Sequence, residues 1–154
     1  MKKQFTATAY ILHQEQVLLL FHPKLGKWLP PGGHVEENET PAEAAKREVL
    51  EETGLEIEFI LDENIWIKRW NAASFPRPYL CLLEEIPAYK NQPAHQHMDF
   101  IYLARPKSSI KLCPEENHTL QWFTMEEMEK LKDDEEIFVE TKQVLQNIFS
   151  MQPI

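Results

Sequence analysis

The chain reads as α+β or mixed α/β, a sheet of strands with one helix inserted early and helices late. Three observations predict this. Apolar strand patterns open the chain, at residues 4–13 and at "QVLLLFH", Gln16 to His22. A helix with a complete start signal follows a Pro/Gly-rich stretch, and the last third carries an apolar stripe at helical spacing. With 154 residues, one domain over residues 1–154 is expected, long enough to bury about two thirds of its unfolded surface.

Gln14 and Glu15 leave a two-residue connection between the first two strands, which suggests a hairpin; the second strand is nearly all apolar and is expected to be central. In "PKLGKWLPPGGHVEENE", Pro23, Gly26, Pro30, Pro31, Gly32 and Gly33 break regular elements into a structured loop. The helix that follows has Thr40 as N-cap, Pro41 at its first position, Glu43 to close a capping box and Gly54 as its stop. Residues 55–67, "LEIEFILDENIWI", alternate as a strand with Leu55, Ile57 and Phe59 on one side, and a loop rich in Trp70, Phe75, Pro76, Arg77 and Pro78 comes next. "YLCLLEEI", "MDFIYLA" and the short "TLQWF" are further strands. Thr124 caps the helical "TMEEMEKL", and the stripe of Ile137, Phe138, Thr141, Val144, Leu145, Ile148 and Phe149 is read as core packing.

A net charge of -9 argues against binding to extended nucleic acid or to a membrane surface, since both call for a basic patch, and it suits an acidic metal site. Cys81 and Cys113 make neither a disulfide framework nor paired zinc-ligand spacing and read as reduced, structural thiols. Thr6, Thr8, His13 and Gln14 interrupt the N-terminal apolar run before it reaches the length of a signal-peptide core, and no run approaches a membrane span. A soluble, cytoplasmic protein is expected.

The segment "REVLEETG", Arg47 to Gly54, places Glu48, Glu51 and Glu52 at the C-terminal end of its helix, against the macrodipole. Each misplaced charge costs roughly 0.3–1 kcal/mol there. At about 100° per residue the three fall within an arc of roughly 100°, so one face presents three carboxylates. Val49, Ala45 and Ala42 form a neighbouring face suited to a sheet, and Leu50 lies nearly opposite the acids, which predicts a helix sandwiched between layers. Either the acids are a solvated charged face, partly offset by Lys46 or Arg47, or a divalent cation reverses their electrostatic cost.

The longer window runs "GHVEENETPAEAAKREVLEETGL" from Gly33: five residues to Glu39, seven more to Arg47, then Glu48, aliphatic Val49 and Leu50, Glu51, Glu52, Thr53, Gly54 and aliphatic Leu55. This resembles the signature of the Nudix hydrolase family at every defined position. The box covers 23 residues, and the surrounding order of elements also looks like that family's α/β/α sandwich, a mixed sheet flanked by helices. The resemblance implies a Mg²⁺-dependent pyrophosphohydrolase, with Mn²⁺ able to substitute, acting on a small-molecule nucleoside diphosphate linked to another group. A nucleoside triphosphate, oxidised ones included, is the preferred substrate because the chain is short. ADP-ribose, other nucleotide sugars and dinucleoside polyphosphates are the alternatives, and a nucleotide-binding module without catalysis is the rival from another class. Homodimers are frequent in the family.

By resemblance, Glu48, Glu51 and Glu52 are the metal-binding carboxylates, Glu51 either a ligand or the group taking a proton from water, and the family's carbonyl ligand falls on Gly32. The glycines at 32 and 33 suit close backbone approach to an ion or simply a turn. Arg47 resembles the family's orienting arginine, bonded to a box carboxylate, and Glu39 is expected to brace the loop or Arg47. A ligand from outside the box is expected at Glu116, with Glu115 beside it. In "HQHMDF", His95, His97 and Asp99 share a side if extended, and they suit a transition metal, a substrate contact or neither. Trp28, Trp66, Trp70, Phe75 and Tyr79 are aromatic candidates for base recognition or core anchors, and Arg69 and Arg77 are phosphate contacts or ordinary surface charges.

Overall fold

The computed structural model describes residues 1–60, 63–114 and 118–151. Strands β1 (Lys3–His13) and β2 (Gln16–His22) form the expected hairpin, with Leu12 opposite Val17. Gln14 and Glu15 both take positive φ, 48° and 62°, the twist that a two-residue hairpin requires. The stretch expected as an irregular loop instead holds two short strands. β3 (Lys27–Leu29) pairs with β2, and β4 (Gly32–His34) pairs antiparallel with the first half of β1. A Gly-Gly-His strand has no intrinsic β preference; it exists because β1 offers an unpaired edge there.

Helix α1 (Pro41–Thr53) starts with both capping-box bonds in place, Glu43 N–H to Thr40 Oγ1 at 3.1 Å and Thr40 N–H to Glu43 Oε1 at 2.9 Å. Its end is Gly54, with φ 79° and its N–H donated to the Leu50 carbonyl at 2.9 Å. A side chain at residue 54 would also run into the Cys113 carbonyl, so this position needs glycine twice over. Ala42, Ala44, Ala45, Val49 and Thr53 are the buried residues of α1, and their small size lets it lie close to Ala7 and Ala9 of β1. Leu50 is 45% exposed, so α1 is covered on one side and not sandwiched as expected.

After α1 come β5 (Ile57–Phe59), β6 (Leu80–Ile86), β7 (His95–Pro106), β8 (Thr119–Thr124), α2 (Met125–Glu129) and α3 (Val139–Met151). The strand expected over 55–67 is cut to three residues for a geometric reason. β5 and β6 share one edge of β7; β5 pairs with Ala104–Pro106, and β6 occupies the edge from Ile101 back to His95. β7 is longer than the sequence suggested and includes both histidines of "HQHMDF".

The mixed sheet has eight strands, and among the described residues its parallel pairing is β1 with β7. Strand alternation sends Ala7, Ala9, Ile11, Leu18, Tyr102 and Ala104 toward α1. Tyr10, Leu12, Val17, Leu19, Ile101 and Leu103 face the other way, against Met128 of α2 and Val144, Leu145 and Ile148 of α3. Helices on both faces give the expected α/β/α layering. The core does not reach one end of the α2/α3 side. There β1 contributes Thr6 and Thr8, and β7 contributes His95, His97 and Asp99, so the floor turns polar.

Candidate active site at the Gly-Gly strand

The end of α1 and the strand β4 meet edge to edge. The Gly32 N–H donates to Glu52 Oε1 at 2.8 Å. A Cβ on Gly33 would stand 2.5 Å from the Glu48 carboxyl carbon, and one on Gly32 would stand 2.5 Å from the Ala7 carbonyl oxygen. Glycine at 33 leaves room for the Glu48 carboxylate, and glycine at 32 lets the strand lie close against β1 while its N–H meets Glu52. Register explains the division of labour: Gly33 lies across from Ala7, on the α1 side, and Gly32 across from Thr8, on the polar floor.

Arg47 organises the acids. Its Nε and one terminal nitrogen donate to the two oxygens of Glu39 at 2.7 and 3.0 Å. The other terminal nitrogen donates to Glu48 at 2.9 Å and lies 3.4 Å from Glu51, while the terminal nitrogen bonded to Glu39 also donates to the His34 carbonyl at 3.0 Å. Glu39 also accepts from the Glu36 N–H at 2.9 Å, so it braces the loop and the arginine together. The hydrogen bond from Arg47 outweighs the opposing effect of burial and, with that backbone donor, holds the Glu39 carboxyl below the usual glutamate range. Conversely Glu39, then Glu48, raise the guanidinium further above its already high value. Glu51 is the more open carboxylate, with 43% of its side chain exposed against 18% for Glu48.

The remaining expected residues divide. Glu116 and Glu115 lie outside the described residues. Trp28 is half-buried, packed edge-on against Phe123 at 4.9 Å and Phe21 at 5.4 Å, a core anchor. Arg69 and Arg77 are exposed in the 63–79 segment, where Trp66 and Trp70 are also exposed, and no hydrogen bond or ion pair among the described residues joins either arginine to the carboxylates. His97 is half-buried, its Nε2 3.2 Å from that of His95 and its ring 5.1 Å from that of His34. Burial, then His34 and His95, pull its pKa down. Asp99 is buried and accepts from Thr6 Oγ1 at 3.0 Å and Thr8 Oγ1 at 2.9 Å. Among the described residues no group of three His, Cys, Asp or Glu side chains is gathered as a ready-made metal cluster. Thr6, Thr8, His34 and Glu84 carry no site role in the sequence expectations, although the alternation of "FTATAYIL" places the two threonines on one face.

A donor set of carboxylates beside backbone that no side chain obstructs fits a hard divalent cation and the phosphates such an ion neutralises. That defines a class of site, and the comparisons give it a family. The NUDIX domain model matches residues 2–142, and the chain belongs to the NUDIX family. It is similar to a probable DHNTP pyrophosphohydrolase from Lactococcus lactis subsp. cremoris, 31% identical over 103 residues, which are 65% of this chain and 52% of that protein. The chain thus matches about half the length of that relative. A hydrolase of the NUDIX family from Clostridium perfringens superposes with a TM-score of 0.75 at 25% identity, covering 98% of this chain and 99% of that one. A C. elegans Ap4A hydrolase shares the fold, with a TM-score of 0.58 at 20% identity over 94% and 96% of the two chains. No helix among the described residues is long and apolar enough to cross a membrane.

Proposed function

We propose that the chain is a Mg²⁺-dependent pyrophosphohydrolase of nucleoside triphosphates or close analogues, in which water attacks an anhydride phosphorus and a nucleotide and a phosphate-bearing remainder separate. The observation that carries this reading is the meeting of Glu48 and Glu52 with the Gly32-Gly33 strand. Three acids gathered where the helix dipole opposes them, with Glu39 beside them, carry more negative charge than the Arg47 guanidinium offsets, which favours a divalent cation at this site. Glu48 and Glu52, with the Gly32 carbonyl, are the residues that would hold the cation. When bound, such an ion neutralises the diphosphate and makes its water more acidic. Glu51, the more open carboxylate, would accept a proton from the attacking water or complete the ligand set, and its exposure supports either role. Arg47 keeps Glu48 and Glu51 aimed and holds the loop before α1 through Glu39. The similarity to a protein named as a DHNTP pyrophosphohydrolase supports a triphosphate over a nucleotide sugar.

The test is a panel of nucleoside triphosphates, dihydroneopterin triphosphate, ADP-ribose and dinucleoside polyphosphates, assayed with Mg²⁺ or Mn²⁺ and resolved by product mass. Release of a monophosphate and pyrophosphate from a triphosphate is the expected result. Tight nucleotide binding without cation-dependent turnover would instead identify a binding module.

A further inference from the structure

The histidines of "HQHMDF" take no part in the chemistry above. Alternation along β7 puts His95 and His97 on the same side as Asp99, facing α2/α3, and Gln4 of β1 and Glu84 of β6 lie on either side of His97 in register. Thr8, opposite Gly32, is four residues along β1 from Gln4. His97 is therefore roughly 13 Å along the strands from the Gly32 loop and two strand spacings across, too far to share a cation with it.

The two rings are set as a chelating pair. His95 is buried, and its Nδ1 lies 3.0 Å from the Pro93 carbonyl oxygen. A carbonyl only accepts, so Nδ1 carries the proton and Nε2 presents a lone pair, which is how a metal-binding histidine is usually oriented. That lone pair meets the Nε2 of His97 at 3.2 Å, with the ring centroids 5.0 Å apart and the planes at 57°. Two imidazoles joined by one straight N–H···N bond of that length would hold their centroids about 5.5 Å apart. Two that bind one tetrahedral ion at about 2.0–2.1 Å would hold their nitrogens about 3.3 Å and their centroids about 5.2 Å apart. The observed pair is bent away from the straight line and close to the chelate. The His34 ring braces His97 edge-on at 5.1 Å and spends its own Nε2 on Gln4, at 2.9 Å.

Asp99 does not join the pair, because its oxygens accept from Thr6 and Thr8. Among the described residues no third His, Cys, Asp or Glu completes a cluster, so water fills the remaining positions. Two imidazole nitrogens without a carboxylate are poor ligands for Mg²⁺, which prefers oxygen, and good ones for Zn²⁺, Ni²⁺ or Cu²⁺. We propose that His95 and His97 form a second cation site, for a nitrogen-preferring divalent ion of that class, separate from the carboxylate site at Gly32. The ion takes the place of the proton between the two Nε2 atoms. That proton moves to Nδ1 of His97, so both rings stay neutral.

The test uses the untagged full chain with Mg²⁺ in large excess to occupy the carboxylate site. Zn²⁺ is titrated calorimetrically into the wild type, His95→Gln, His97→Gln and Glu52→Gln, with thermal melts to show that each variant is folded. The wild type is expected to bind one Zn²⁺ at least tenfold more tightly than either histidine variant, and Glu52→Gln to bind it within twofold of wild type. Pulsed EPR of the wild type with one equivalent of Cu²⁺ reads the ligands whether or not a variant folds, and two imidazoles on one ion are expected. Zn²⁺ affinity that is equal in wild type and the histidine variants, or that is lost in Glu52→Gln, overturns the proposal, as does a Cu²⁺ spectrum with fewer than two imidazoles. None of these readouts requires turnover, so a failure of the hydrolase reading would leave the second site standing.

Discussion

Replacing Arg47 with alanine tests whether one guanidinium holds the candidate site together. The change deletes the bidentate bond to Glu39, the bond to Glu48 at 2.9 Å and the bond to the His34 carbonyl. Its partners are mostly shielded, with 16% of the Glu39 side chain exposed and 23% of Arg47 itself. Exposed pairs contribute about 0–1 kcal/mol, and breaking a buried one costs about 3–5 kcal/mol, so a loss of roughly 2–3 kcal/mol is expected here. For a domain of this length each kcal/mol moves Tm by about 2–4 °C, which places the fall at roughly 5–10 °C. Arg47→Lys should recover under half of it, since an ammonium cannot span both Glu39 oxygens. The pH dependence has a fixed sign. Glu39 has a depressed native pKa, so its contribution is complete above the ordinary glutamate range and disappears as pH falls through the lowered value. The gap between wild type and variant should therefore narrow in acid. Melts followed by circular dichroism from neutral to acid pH read all three. An Arg47→Ala Tm within a degree of wild type at neutral pH would refute the reasoning.

Two further substitutions probe the strand and its acids. Gly33→Ala pushes the Glu48 carboxyl away from a Cβ that would stand 2.5 Å from it. Turnover should fall on the order of 10²-fold for a displacement of about 1 Å, at a stability cost of about 1–3 kcal/mol; unchanged kcat would show that Glu48 does not act from that position. Glu52→Gln keeps an oxygen for the Gly32 N–H and removes a charge from the wrong helix pole. Its Tm should stay within a few degrees of wild type while activity drops on the order of 10²-fold or more, and near-normal turnover would remove Glu52 from the site.

The features legible in the sequence are those with local causes. Thr40, Pro41, Glu43 and Gly54 mark the bounds of α1 because capping and stopping bonds span three or four residues. The arc of Glu48, Glu51 and Glu52 follows from helical rotation alone, and the β1–β2 hairpin from two apolar strand runs joined by two residues. What required the tertiary structure depends on which strand lies beside which. β4 has no strand signal of its own and forms because β1 leaves an edge open, and only that pairing sets Gly33 under Glu48 and Gly32 beside Thr8. β5 is short because β6 claims the same edge of β7, and Leu50 is exposed because no described element covers the outer face of α1. Asp99 and Glu84 are fifteen residues apart, and Thr6 and Thr8 more than ninety from Asp99; the sheet register makes them neighbours. Helix chemistry is written within a turn of the chain, so the sequence alone reveals how this protein gathers its acids; strand pairing is decided by distant segments, so only the fold reveals what those acids face.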